Sequence, residues 1–262
     1  MPTVAYQGHA GAFSDVAARA LVPGAETRGY ASFDAAAAAL DAGESDFAVL
    51  PVENAIAGPV PRNYELLWEH PALRIVGETT LAIELCLIGT YGASEATTRE
   101  IRSHPVALEQ VRRYASSHEW TQTPTTDTAG AVREVIALGD PTVAAVGPAL
   151  AAGIHGGTIL ARNVQDEAEN YTRFFLIRRG DATGLGDRAC AGIAVEDRPG
   201  SLRDALSAFA DRAIDLRFLI ARPDRRVPFR YRFFVELANV DDTRLRAALA
   251  VIGGEQRILG RY

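Results

Sequence analysis

Residues 3–21 read TVAYQGHAGAFSDVAARAL, and this stretch sets the fold class. Residues 3–7 form a short apolar strand, and Gly8 and Gly11 then tighten the turn. Ser14 stands where a cap belongs, ahead of a helix running to about Leu21. Ser32 caps a second helix through Ala42, which Gly43 stops. Residues 47–50 make another short strand, broken by Pro51. Strand, helix, strand, helix, strand is the order of a parallel α/β sheet.

The pattern continues outward from there. Residues 74–88 are strand-rich, and helices are expected near 95–101 and from 106 to about 116, with a strand around Trp120. Thr128 caps a helix to Leu138, residues 142–146 form a buried strand, and Pro148 opens a short helix. Residues 158–160 and 172–177 are further strands. Residues 178–188 hold three glycines and mixed charges, the composition of a linker. Beyond it the rhythm changes to strand 189–195, helix 202–213, strand 216–221, strand 230–237, helix 243–252 and strand 255–259. That βαββαβ order is the ferredoxin-like plan.

Composition narrows the function. The chain has 262 residues, 48% hydrophobic and 23% charged, with a formal net charge of -6. That suits two globular domains and gives no basic face for nucleic acid. No run approaches the ~20 apolar residues of a membrane span, and residues 1–7 lack a signal-peptide pattern. Cys86 and Cys190 sit in apolar surroundings without metal-type spacing, so buried reduced thiols and a cytoplasmic setting are expected. All 27 basic residues are arginine, which excludes lysine Schiff-base chemistry and pyridoxal phosphate. The P-loop and GxSxG motifs are absent, and the five histidines (His9, His70, His104, His118, His155) form no HExxH pair. Catalysis without metal or cofactor is therefore expected, carried by ordinary polar side chains and arginine.

In a parallel α/β sheet, ligands bind beyond the carboxyl ends of the strands. Five polar clusters fall there: Gln7 to Ser14, Glu53 with Asn54, Ser103 with His104, Thr126 to Thr128, and Asn170 to Phe174. The glycine turn suits an anion at a helix start, or is a plain strand–helix turn. Glu53 is either a carboxyl placed for proton transfer or a solvated loop end. His104 either faces a cleft or is structural, and Thr126-Asp127-Thr128 reads equally as a helix cap. Arg173, entering an apolar strand, needs an anionic partner, either an internal carboxylate or a ligand's.

In this order the clusters resemble the prephenate dehydratase family. The glycine turn leading to Phe13-Ser14 matches its opening, and Pro51-Val52-Glu53-Asn54 with Gly58 matches its Pro-x-Glu-Asn segment. Ser103-His104-Pro105, Thr128-Ala129, and Thr172-Arg173-Phe174 after Asn170 match three more segments, and the βαββαβ stretch matches the family's C-terminal ACT domain. The resemblance implies a periplasmic-binding-protein-like catalytic domain over residues 1–180, with an ACT domain over 189–262. Its two lobes span about 1–81 with the return strand near Thr172, and 82–161. The implied reaction takes water and carbon dioxide from prephenate. Implied roles are a carboxylate clamp for Arg173, a hydrogen bond from Thr172 to the leaving hydroxyl or ring carboxylate, and packing for Phe174. Glu53 and His104 are the acid candidates. Asn54, Ser14, Ser103, Thr128 and Asn170 are substrate donors.

Two departures stand out. Ala55 replaces the family's usual serine after Glu-Asn. Ile220-Ala221-Arg222-Pro223 replaces its Glu-Ser-Arg-Pro, while Pro199-Gly200-Ser201-Leu202 keeps the other effector loop. The implied effector is L-phenylalanine or another amino acid, and pairing of ACT strand edges implies a homodimer or homotetramer. The competing readings are arogenate as substrate, a solute-binding protein, and a regulatory ACT protein with an inactive catalytic half.

Overall fold

The computed structural model describes residues 1–180 and 186–262, in two compact units: Met1–Pro59 with Thr79–Phe174, and Val60–Glu78 with Phe175–Tyr262. The chain opens with β1 (Thr3–Gln7), α1 (Phe13–Leu21), β2 (Glu26–Tyr30), α2 (Phe33–Ala42), β3 (Phe47–Asn54) and β4 (Gly58–Pro59). Next come α3 (Pro61–Glu69) and β5 (Leu73–Ala82), whose first part belongs with the C-terminal unit. The first unit resumes with β6 (Cys86–Gly89), β7 (Glu100–Ser103), α4 (Pro105–Glu109), α5 (Arg112–Ser117) and β8 (Thr121–Pro124). It continues with α6 (Thr128–Leu138), β9 (Val143–Gly147), α7 (Ala149–His155), β10 (Thr158–Ala161) and the start of β11 (Tyr171–Arg179). The second unit ends with β12 (Ala189–Ala194), α8 (Ser201–Ala210), β13 (Asp215–Pro223), β14 (Tyr231–Ala238), α9 (Asp242–Leu249) and β15 (Glu255–Arg261). Of the expected linker, Arg178 and Arg179 end β11, and residues 181–185 lie outside the described residues.

In the first lobe, β1 runs parallel between β2 and β3, with Val4 opposite both Thr27 and Phe47. Ala17 and Ala18 of α1 and Ala36, Ala37 and Leu40 of α2 are buried, their short side chains allowing close approach to the sheet. Ser32 caps α2 by accepting from Ala35 N at 3.1 Å, and Gly43 ends it in the left-handed conformation at φ 78°. The second lobe is a five-stranded sheet ordered β10-β6-β9-β7-β8. Its core joins Leu85, Leu87, Ile101, Val111 and Val146.

Several sequence expectations need correction. Ser14 does not cap α1; it lies inside the first turn, and Asp15 accepts from Gly11 N at 2.8 Å instead. Pro51 does not break β3, which runs on to Asn54 past the last β1 pairing at Val49. Residues 95–101 form no helix. Hydroxyls of Ser94, Thr97 and Thr98 hold a turn, and Ile101 is buried in β7. The helix from 106 is two helices, α4 and α5, parted at Gln110 and Val111. Asp127, not Thr128, caps α6, accepting from Gly130 N at 2.6 Å.

The second unit is an antiparallel sheet ordered β13-β14-β12-β15. β14 explains how both faces are covered. Phe233, Val235 and Leu237 face the core that Ala205, Phe209, Leu245 and Leu249 of α8 and α9 complete. The alternate residues meet α3: Arg232 lies 4.3 Å over the Trp68 ring, Phe234 meets Trp68 edge-on, and Glu236 accepts from Tyr64 Oη at 2.5 Å. Helix α3 is thus the cover of the second face, although more than 100 residues separate it from β14 in sequence.

Candidate active site

Asn54 is the hub of the site. It ends β3, and its side-chain oxygen accepts from Ile56 N at 3.0 Å and Ala57 N at 2.8 Å, fixing the turn to β4. Its amide hydrogens are shared among Asn170 Oδ1 at 2.8 Å, Thr172 Oγ1 at 2.9 Å and Tyr171 O at 3.1 Å. Thr172 is only 9% exposed, and its oxygen accepts from Asn54, which directs the hydroxyl's own hydrogen elsewhere. Asn170 is 1% exposed, and its Nδ2 meets no hydrogen-bond partner among the described residues.

Beside this network Arg173 Nη2 donates to Glu53 Oε2 at 3.2 Å, so an internal carboxylate is one anionic partner of the strand arginine. Phe174 is buried directly after it. Glu53 therefore acts as an acceptor in this geometry.

The second-lobe candidates divide. Ser103 is fully buried and donates its hydroxyl to Val146 O at 2.6 Å, which corrects its expected role as a substrate donor. His104 is the N-cap of α4, with Nδ1 accepting from Val106 N at 3.2 Å. Thr128 sits half-buried at the first position of α6.

The glycine turn is docked against the second lobe. His9 Nδ1 donates to Asp127 Oδ2 at 2.5 Å, and Ala10 O lies 2.9 Å from His155 Nε2. Gly11 adopts φ +90° so close to α7 that a Cβ there would fall 2.5 Å from Ala151 Cα. Under the turn, burial and then Asp15 push the Tyr6 phenol far above its usual range. The His9–Asp127 pair has no local sequence signal, since 118 residues separate its members. Neither does the unpartnered Nδ2 of Asn170.

Residues 4–182 match the family model for prephenate dehydratase, which carries every segment just described. The chain belongs to that family. Residues 192–248 match the ACT domain. It is therefore a prephenate or arogenate dehydratase, a carbon–oxygen lyase, with an ACT domain. Arogenate dehydratase/prephenate dehydratase 1, chloroplastic, of Arabidopsis thaliana is 35% identical over 280 residues, covering 99% of this chain and 71% of the plant protein. The bifunctional N-acyl-homoserine lactone acylase/prephenate dehydratase of Komagataeibacter europaeus is 38% identical over 217 residues, covering 81% of this chain and 77% of its own. The crystal structure of Arthrobacter aurescens prephenate dehydratase in complex with L-Phe superposes with a TM-score of 0.87 at 27% identity, covering 99% and 90% of the two chains.

In the ACT domain, Gly200 takes φ 87° at the start of α8, and a 350 Å³ cavity lies against Gly200, Ser201, Leu202, Arg198 and Tyr231. Ser201 Oγ is buried without a hydrogen-bond partner among the described residues. Arg222 and Pro223 do not line that cavity; Arg222 Nε instead donates to Glu65 of α3 at 2.5 Å, and Glu65 is also within 3.6 Å of Arg225. Pro199 likewise stands outside the lining.

Proposed function

We propose that the chain converts prephenate to phenylpyruvate by a decarboxylating dehydration for phenylalanine synthesis. Prephenate dianion and one proton give phenylpyruvate, carbon dioxide and water. The bond from the ring to its carboxylate breaks, its electron pair enters the ring, and the hydroxyl leaves from the opposite carbon. Aromatisation drives the step, so the protein's tasks are to hold the dianion and stabilise the departing oxygen.

The observation carrying this reading is the Asn54–Thr172 hydrogen bond at 2.9 Å. Because Asn54 donates, Thr172 keeps its hydrogen for the leaving group. A threonine hydroxyl is too weak an acid to deliver the proton outright, so Thr172 acts as a charge-stabilising donor. Arg173 clamps a substrate carboxylate, since a guanidinium fork with five N–H groups can hold Glu53 and a second carboxylate together. Asn170 Nδ2, Ser14 and Thr128 supply further contacts, and Glu53 and His104 stay the candidate proton sources. Residues 1–180 form the catalytic domain and 189–262 the regulatory one. L-phenylalanine or another amino acid binds beside Gly200 to Leu202, and pairing of ACT edges gives a homodimer or homotetramer. Cys86 and Cys190, both buried and outside any disulfide, support a cytoplasmic setting.

The plant relatives' names favour arogenate as the second reading. The test mixes purified protein with prephenate or arogenate, without metal or cofactor, with and without L-phenylalanine. Phenylpyruvate from prephenate at the higher kcat/KM supports the proposal; phenylalanine from arogenate at the higher value moves the assignment to arogenate, and turnover of neither overturns it.

A further inference from the structure

We infer that His9 is a positioning residue, which through Asp127 sets the spacing between the glycine turn of the first lobe and the start of α6 in the second. This rests on the substrate contacts proposed above for Ser14 and Thr128, which stand on the two sides of that spacing.

Three observations converge on the pair. Asp127 divides its carboxylate: Oδ1 caps α6 through Gly130 N at 2.6 Å, and Oδ2 accepts from His9 Nδ1 at 2.5 Å. A bond to an ionised oxygen is stronger and more directional than one between neutral groups. The pair is shielded, with His9 35% and Asp127 14% exposed at the side chain. Position 130 is glycine, and a Cβ there would lie 2.8 Å from His9 Nδ1 and 2.9 Å from Asp127 Oδ2. The residue three places into α6 is therefore the one that lets the imidazole reach the cap.

The remaining contacts of the turn are apolar or backbone. Ala12 packs in the cluster of Ala129, Val132 and Ala151, Phe13 packs on the core around Leu85 and Val111, and Ala10 O meets His155. Apolar packing holds the two lobes together without fixing the orientation of the turn, because dispersion contacts have little angular preference. The His9–Asp127 bond supplies the orientation together with the hydrogen bond between Ala10 O and His155 Nε2 on α7, and it is the one that reaches the start of α6. It joins the residue after Gly8 to the residue before Thr128, so Ser14 and Thr128 keep one separation as substrate enters.

The experiment compares His9→Phe and His9→Asn with the wild type. Phenylalanine keeps the ring and loses the donor. Asparagine places its Nδ2 near the position of the imidazole Nδ1 and keeps it. Initial rates give KM and kcat for prephenate and arogenate, and thermal unfolding gives stability. Losing one charge-assisted bond predicts a KM rise of about 10-fold to 100-fold for His9→Phe, with kcat within about threefold. The unfolding midpoint should stay within about 2 °C, and His9→Asn should return KM to within about threefold of wild type. An unchanged KM in His9→Phe overturns the inference while leaving the functional reading intact. So does a loss of activity in both variants that only tracks lost stability. Wild-type protein that turns over neither substrate overturns the functional reading and this inference together.

Discussion

Replacing Thr172 with valine removes one hydroxyl, keeps the branched shape, and separates catalysis from stability. The site is 9% exposed, so the substitution leaves the packing around Phe174 in place. On the folded side the loss is the acceptor of one bond, Asn54 Nδ2 to Thr172 Oγ1 at 2.9 Å. Such a bond is worth about 1 kcal/mol. Asn54 also keeps Asn170 Oδ1 and Tyr171 O as acceptors, which holds the cost near that figure. On the catalytic side the loss, under the role proposed for Thr172, is a donor to the departing oxygen from a residue only 9% exposed. Removing a donor of that kind costs about 100-fold to 1000-fold in kcat, or roughly 3–4 kcal/mol of barrier. The barrier term should therefore exceed the stability term about threefold. The assay follows phenylpyruvate under saturating prephenate, with urea unfolding of the same preparations. Thr172→Ser, which restores the donor, should recover kcat to within about tenfold. Folded Thr172→Val with kcat within about threefold of wild type would refute the assignment, because the hydroxyl would then have no part in the transition state.

Three more outcomes are expected. Glu53→Gln removes the charge that shares Arg173 with the substrate carboxylate, so KM for prephenate should fall severalfold with kcat within about threefold; a kcat loss of about 100-fold or more would make Glu53 the proton source. Tyr64→Phe strips a donor from Glu236, which is 1% exposed, and should cost about 1.5–3 kcal/mol in urea unfolding; an unchanged midpoint would mean that the other groups around that carboxylate, Arg188 among them, satisfy it without Tyr64. The hydrogen bond from Arg226, aided by Arg232, holds the Asp224 carboxyl down to about 2. A depressed folded-state pKa stabilises above the unfolded value of about 3.9, and that stability fades as pH falls toward 2. Asp224→Asn should thus be less stable than wild type near pH 6, and the gap should shrink to about half by pH 3 and close only below about pH 2; a gap independent of pH would refute the linkage.

The sequence by itself determined the element types and their order. Strand 3–7, the Ser32-to-Gly43 helix and the C-terminal βαββαβ run were readable because caps, left-handed glycines and period-two alternation act within a few residues. Local reading failed where longer-range packing decided. Residues 95–101 carry a helix-compatible pattern, yet Ile101 is drawn into β7 between β8 and β9. Pro51 looked like a strand break only because the end of its β1 ladder could not be seen. The site was legible as a set of polar clusters at strand ends, which is why Glu53, Asn54, Thr172 and Arg173 were singled out. Who bonds whom was not. Asn54 meets Thr172 across 118 residues, His9 meets Asp127 across the same span, and Ser103 spends its hydroxyl on a backbone carbonyl. Helix α3 follows the Glu53-Asn54 segment in sequence and yet covers the ACT sheet, because the second face of β14 needs an apolar partner and Tyr64 and Trp68 provide it. Residue type and spacing are local properties of the chain, whereas the partner of a buried hydrogen bond is chosen by the fold that brings distant segments together.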